Sequence, residues 1–76
     1  MKSGRAAIKN VLAGNIKKYR ARLKLTQEQA SEKADIPLKY WQRLEMQSQV
    51  DLPSLPKLFK IADGLRVAPS KLLEDS

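Results

Sequence analysis

The sequence predicts an all-α domain, a compact bundle of five short helices. Three observations carry this. Apolar residues recur at three- and four-residue steps in separate stretches, which is the spacing of one helix face. Helix-start signals stand before two of those stretches: Thr26 with Gln29, and Ser54 with Pro56. Breaks such as "ADIP" and "MQSQVDLPS" keep every stretch short. No single helix then buries its own apolar side, so all must pack together.

Residues 1–7, "MKSGRAA", are expected to form a flexible basic arm, and 8–76 the folded domain. The first helix is expected at about 8–24, with Ile8, Val11, Leu12, Ile16, Tyr19 and Leu23 as its inner stripe. Lys9, Lys17, Lys18 and Arg22 fall away from that stripe, and Gly14 weakens the helix slightly. Thr26 and Gln29 make a capping box for a second helix at about 27–34, which turns Ala30 and Ala34 inward. The residue before a proline avoids helical angles, so Ile36 is extended and plugs the turn. Pro37 opens a third helix, about 37–46, with Trp41 and Leu44 on its inner face. Ser54 caps a fourth, about 55–63, whose buried side draws on Leu55, Leu58, Phe59, Ile61 and Ala62. A last helix at about 69–74 carries Leu72 and Leu73.

At 76 residues the chain makes one domain with a modest core. It has neither Cys nor His, which removes disulfides, zinc-thiolate sites and the commonest general base. No Gly-rich phosphate loop or nucleophile elbow is present, so neither catalysis, a metal nor a cofactor is expected. No stretch is apolar enough for a membrane span or a signal peptide, and the absence of Cys fits a reducing cytoplasm. The formal charge is +7 and unevenly spread. Residues 1–24 hold eight basic residues and no acid, whereas the remainder holds seven basic and eight acidic. A cationic end implies a polyanion, nucleic acid first and an anionic membrane second; the plainer reading is a solvated face.

A short helix, a tight turn and a second short helix, here about 27–46, form the helix-turn-helix plan. One helix braces the other, which projects into the major groove of DNA, where base edges differ. From Leu12 to Leu73 the sequence resembles the phage-repressor (Xre-like) helix-turn-helix family. The resemblance rests on Leu12, Ile16, Tyr19 and Arg20 in the first helix and on the capped opening Thr26-Gln27-Glu28. It continues through Leu44-Glu45 at the end of the third helix. Pro53, Ser54, Leu55, Leu58, Ile61 and Ala62 then match, followed by Val67, Leu72 and Leu73. It implies a lambda-repressor-like fold. There are departures. Asp35 stands where the turn favours Gly, and Ser31 replaces the usual Ala. Met46-Gln47 replace the Gly or Asn that ends the recognition helix, and the following loop looks about two residues longer. Gly64 and Arg66 look exchanged relative to the family's Ala and Gly.

By this resemblance Leu38, Lys39 and Arg43 occupy base-reading positions, with Gln42 a neighbouring candidate. Arg43 is expected to pair with guanine, Lys39 with guanine or phosphate, and Leu38 to pack on a thymine methyl. The alternative is an ordinary polar helix face. Gln27 sits where the family touches phosphate, and a helix N-terminus attracts anions. Tyr40, Gln47 and Gln49 are further phosphate-contact candidates, set against a passive ring and a plain linker. Arg20 and Glu45 hold family positions that form an ion pair linking the first helix to the recognition helix. Lys2 and Arg5 are candidates for an arm reaching DNA.

The expected function is a sequence-specific, double-stranded DNA-binding transcriptional regulator of repressor type, bacterial or phage-encoded and cytoplasmic, acting as a homodimer. Leu65, Val67, Leu72 and Leu73 are candidates for the dimer seam, their alternative role being to close the monomer core. The sequence shows no second domain for sensing a ligand, so control falls to concentration, dimerisation or a partner. The rivals are an antitoxin-like or controller protein with a small protein partner, an interaction module that has lost base reading, and a membrane-surface or RNA role.

Overall fold

Local chemistry sets the starts of two helices and the far ends of three. The computed structural model describes residues 4–46 and 52–75. They form α1 (Arg5–Arg22), α2 (Gln27–Ala34), α3 (Leu38–Glu45) and α4 (Leu55–Gly64), then a 3-10 helix at Pro69–Leu73, with no strand among the described residues. The fifth helix expected from the sequence is therefore a 3-10 turn, and the α-helices among the described residues number four. A span of five residues opening on Pro69 has few α-type i→i−4 bonds to form, which favours the tighter 3-10 winding. The expected arm is helical from Arg5 onward, because Arg5-Ala6-Ala7 are strong helix formers.

The capping box of α2 is complete. The Gln29 amide N–H donates to Thr26 Oγ1 at 3.0 Å, and the Thr26 N–H donates to Gln29 Oε1 at 2.9 Å. At α4 the Lys57 N–H reaches Ser54 Oγ at 3.4 Å. The far ends of α1, α2 and α4 share one device. A residue in left-handed conformation, Lys24, Asp35 or Arg66, follows the helix with φ near 60°. The next amide then bonds back five residues: Leu25 to Arg20 O, Ile36 to Ser31 O and Val67 to Ala62 O. This is the Schellman closure. It turns Ile36 into the core as the plug of the helix-turn-helix turn.

α1 packs on α3 and on the 3-10 helix, α2 packs on α3 and α4, and α4 also meets the 3-10 helix. Between them lie Leu12, Ile16, Ala30, Ala34, Ile36, Trp41, Leu44, Leu58, Ile61, Ala62, Leu65 and Leu72. Two faces are rotated from those the sequence predicts. On α1, Ile8 and Leu23 are exposed, whereas Lys9 and Asn15 are buried. On α4, Leu55 and Phe59 are exposed at 67% and 57%, and Gly64 and Leu65 turn inward instead. The cause is close packing of α4 on α2. A Cβ at Gly64 would stand 2.9 Å from Ala34 N, Cα and Cβ, so only glycine allows this approach. That contact sets which side of α4 meets the core. Leu65 and Leu72, expected as dimer-seam candidates, are buried at 2% and 0%, so they close the monomer core and leave no surface for a seam. Val67 is half-buried and Leu73 exposed.

Candidate nucleic-acid interface

α3 has two unlike faces. Inward it presents Trp41 and Leu44, both buried in the core, and Glu45. Glu45 is a buried acid that receives four hydrogen bonds. Arg20 grips it with Nε on Oε2 at 2.6 Å and Nη2 on Oε1 at 2.9 Å. The Trp41 indole N–H donates to Oε2 at 2.8 Å, and the Gln27 side-chain amide to Oε1 at 3.0 Å. Burial pushes the Glu45 carboxyl up. Hydrogen bonds from Arg20, Trp41 and Gln27, together with the guanidinium charge, outweigh this and hold it below the usual carboxylate range. The same hydrogen bond to Glu45 raises Arg20. Arg20 Nη1 also donates to Leu25 O at 2.9 Å, so one guanidinium ties the end of α1 to α3.

Outward, α3 presents Lys39, Gln42 and Arg43, all exposed. Spacings of three and four residues place them on one helical face. Leu38 and Tyr40 are half-buried, and Lys57 Nζ lies 5.2 Å from the centroid of the Tyr40 ring. The structure thus brings Lys39, Gln42 and Arg43 together, with Leu38 at the helix start. It engages the Gln27 amide with Glu45 at the start of α2, beside α3. Gln47 and Gln49 lie outside the described residues, as does Lys2.

A family model described as helix-turn-helix (HTH_3) matches residues 16–72, well over half of the chain. The chain belongs to the HTH_3 helix-turn-helix family. This is the Xre-like, phage-repressor type of DNA-binding regulatory domain. Searches of the curated proteins and of the solved structures gave no match. No helix among the described residues is long and apolar enough to cross a membrane.

Two buried polar residues of this helix-turn-helix protein are not foreseen from its sequence pattern, and both precede residue 16. Lys9 is 1% exposed, and its Nζ donates to Arg43 O at 3.1 Å and Met46 O at 2.7 Å. Asn15 Nδ2 donates to Leu72 O at 2.8 Å and Glu74 O at 2.9 Å. The available signal was spacing. Lys9 falls three and four residues before Leu12 and Ala13, on the side of α1 that is buried. Among the described residues no buried side-chain nitrogen or oxygen lacks a partner.

Proposed function

We propose that this protein is a sequence-specific, double-stranded DNA-binding transcription regulator that represses by occupying its operator, with α3 in the major groove. The observation that supports this most is the division of α3: its inner side is locked by Trp41, Leu44 and Glu45 while Lys39, Gln42 and Arg43 face out. A rigidly held helix with donors on its open face suits base reading. Arg43 is assigned to guanine, Lys39 to guanine or phosphate, Gln42 to adenine, and Leu38 to a thymine methyl. Gln27 at the α2 N-terminus, the Tyr40 hydroxyl, Gln47 and Gln49 are assigned to phosphates. A homodimer doubles the few contacts one module makes, with Val67 and Leu73 contributing to its seam. The setting is the cytoplasm of a bacterium or of a phage host.

The test is selection of binding sites from random duplex DNA at about physiological salt, followed by Arg43→Ala. A two-fold symmetric motif with half-sites about one helical turn apart is expected. Arg43→Ala is expected to lower affinity for that site by about 1–3 kcal/mol and relax one base position. Enrichment of no motif by folded protein would overturn base reading. A second reading is supported by the exposed pair Leu55 and Phe59 on α4: an antitoxin-like or controller protein whose α4 meets a protein partner. Stable co-purification of a distinct small protein, lost with Phe59→Glu, would favour it.

A further inference from the structure

The described end of α3 holds no left-handed residue. Met46, its C-terminal flank, is extended at φ −88° and ψ 115°. Its final carbonyls still need partners, because the last turn of any helix leaves carbonyl oxygens without intrahelical donors. Lys9 supplies them. Its ammonium, carried on the 1%-exposed side chain, donates to Arg43 O and Met46 O across 34 and 37 residues of sequence. A cation there also suits the negative end of the helix dipole. Arg43 O already accepts the Met46 N–H at 3.2 Å, so two donors converge on the backbone of one outward-facing residue. Lys9 lies before residue 16, outside the segment that matches the family.

We infer that Lys9 is a specificity-positioning residue: the N-terminal part of α1 reaches under the domain and fixes the C-terminal end of the recognition helix by its backbone. This rests on α3 as the base-reading helix. Glu45 anchors the helix by a side chain, through Arg20. Lys9 anchors the carbonyl of Arg43 itself, so it governs where the Arg43 side chain starts from. Bidentate base recognition is sensitive to displacement on the ångström scale, whereas non-specific attraction to phosphate is not. Lys9 therefore contributes to discrimination between sequences and not to the count of phosphate contacts.

The test uses the full chain with Lys9→Met, which keeps the stem and removes the donor, and Lys9→Gln, which keeps one short donor. Affinity for the selected site and for a random duplex of equal length is measured over a salt series, with circular dichroism to show folding. Lys9→Met is expected to lower affinity for the selected site about tenfold, within the range of one lost base contact. Random-duplex affinity is expected to stay within about twofold, with the salt slope unchanged. Lys9→Gln is expected to fall between wild type and Lys9→Met. Equal loss on both duplexes, with a slope shallower by about one, would make Lys9 a phosphate ligand and overturn the inference. Unchanged binding to both would also overturn it. Should Lys9→Met fail to fold, wild-type protein decides by lysine acetylation read by mass spectrometry. Lys9 is expected to be protected relative to Lys17 and Lys39, and labelling of Lys9 at their rate would overturn the clamp. Wild type that selects no motif removes the specificity role together with the base-reading proposal. In that case protection of Lys9 separately shows whether it still holds the helix end.

Discussion

Glu45 is the residue on which the orientation of α3 turns. It is 3% exposed in its side chain, whereas Arg20 retains 19%, so the pair is only partly screened by water. Removing one partner strands the other charge. Glu45→Gln is expected to cost roughly 3 kcal/mol at neutral pH, a large share of what so small a domain possesses. Because the folded carboxyl titrates below its usual range, the stabilisation is complete above the unfolded value of about 4.3. It is lost as pH falls through the lower folded value. The gap between wild type and Glu45→Gln should therefore be widest near pH 7 and shrink below about pH 4. Urea unfolding at pH 7 and pH 3 measures this, and a gap independent of pH would show that the carboxylate charge is not what holds α3. A double-mutant cycle between Arg20 and Glu45 with no coupling at neutral pH would show the same.

At the scale of elements, the two helical glycines have opposite meanings. Gly14 lies exposed in the middle of α1, and nothing stands within 4 Å of where a Cβ would be. Gly14→Ala is expected to stabilise by about 1 kcal/mol, raising Tm by roughly 4–8 °C, through helix propensity and a less floppy unfolded chain. Gly64 faces the Ala34 backbone, which cannot swing aside as a flexible side chain can. Gly64→Ala is expected to destabilise by about 1–3 kcal/mol as α4 is pushed off α2. Thermal unfolding of both variants decides. Equal signs would mean that α4 can move away from α2 at little cost. The same contact accounts for glycine at position 64, and the left-handed position at φ 60° is taken by Arg66.

At the scale of the whole molecule, the charge of +7 overstates the cationic surface. Lys9 is buried as a helix cap and Arg20 is paired with Glu45, so two of the eight N-terminal cations hold the fold together. Among the described side chains of α1 and the turn after it, surface charge is carried by Lys17, Lys18, Arg22 and Lys24, of which Lys18 and Arg22 lie over the Tyr19 ring. Apolar surface is the other feature at this scale. Phe59 and Val67 border one shallow groove with Lys60, Asp63 and Pro69, and Leu73 is half exposed. Leu73→Glu is expected to leave helicity unchanged while weakening self-association and operator binding together. Sedimentation equilibrium checks this, and wild type that stays monomeric at tens of micromolar and selects a single half-site would remove the dimer from the proposal.

The division between what was legible and what was not follows sequence distance. Helix periodicity, the capping box of Thr26 and Gln29, the Ser54 cap and the left-handed tolerance of Asp35 are settled within about four residues, so the sequence alone determined them. It also determined the ordered motif that marks the family, and with it Arg20 opposite Glu45, because both partners are side chains with recognisable chemistry. The partners of Lys9 and Asn15 are backbone carbonyls 34 to 59 residues away, and a carbonyl has no residue type to read. The rotation of α4 that exposes Leu55 and Phe59 was likewise decided by a contact between two helices at Gly64 and Ala34. Local chemistry chose the helices and named the face of α3. Packing decided the backbone contacts of Lys9 and Asn15 and the rotation of α4, because a helix carries its apolar stripe in its own sequence but meets its neighbours' backbones only in the folded chain.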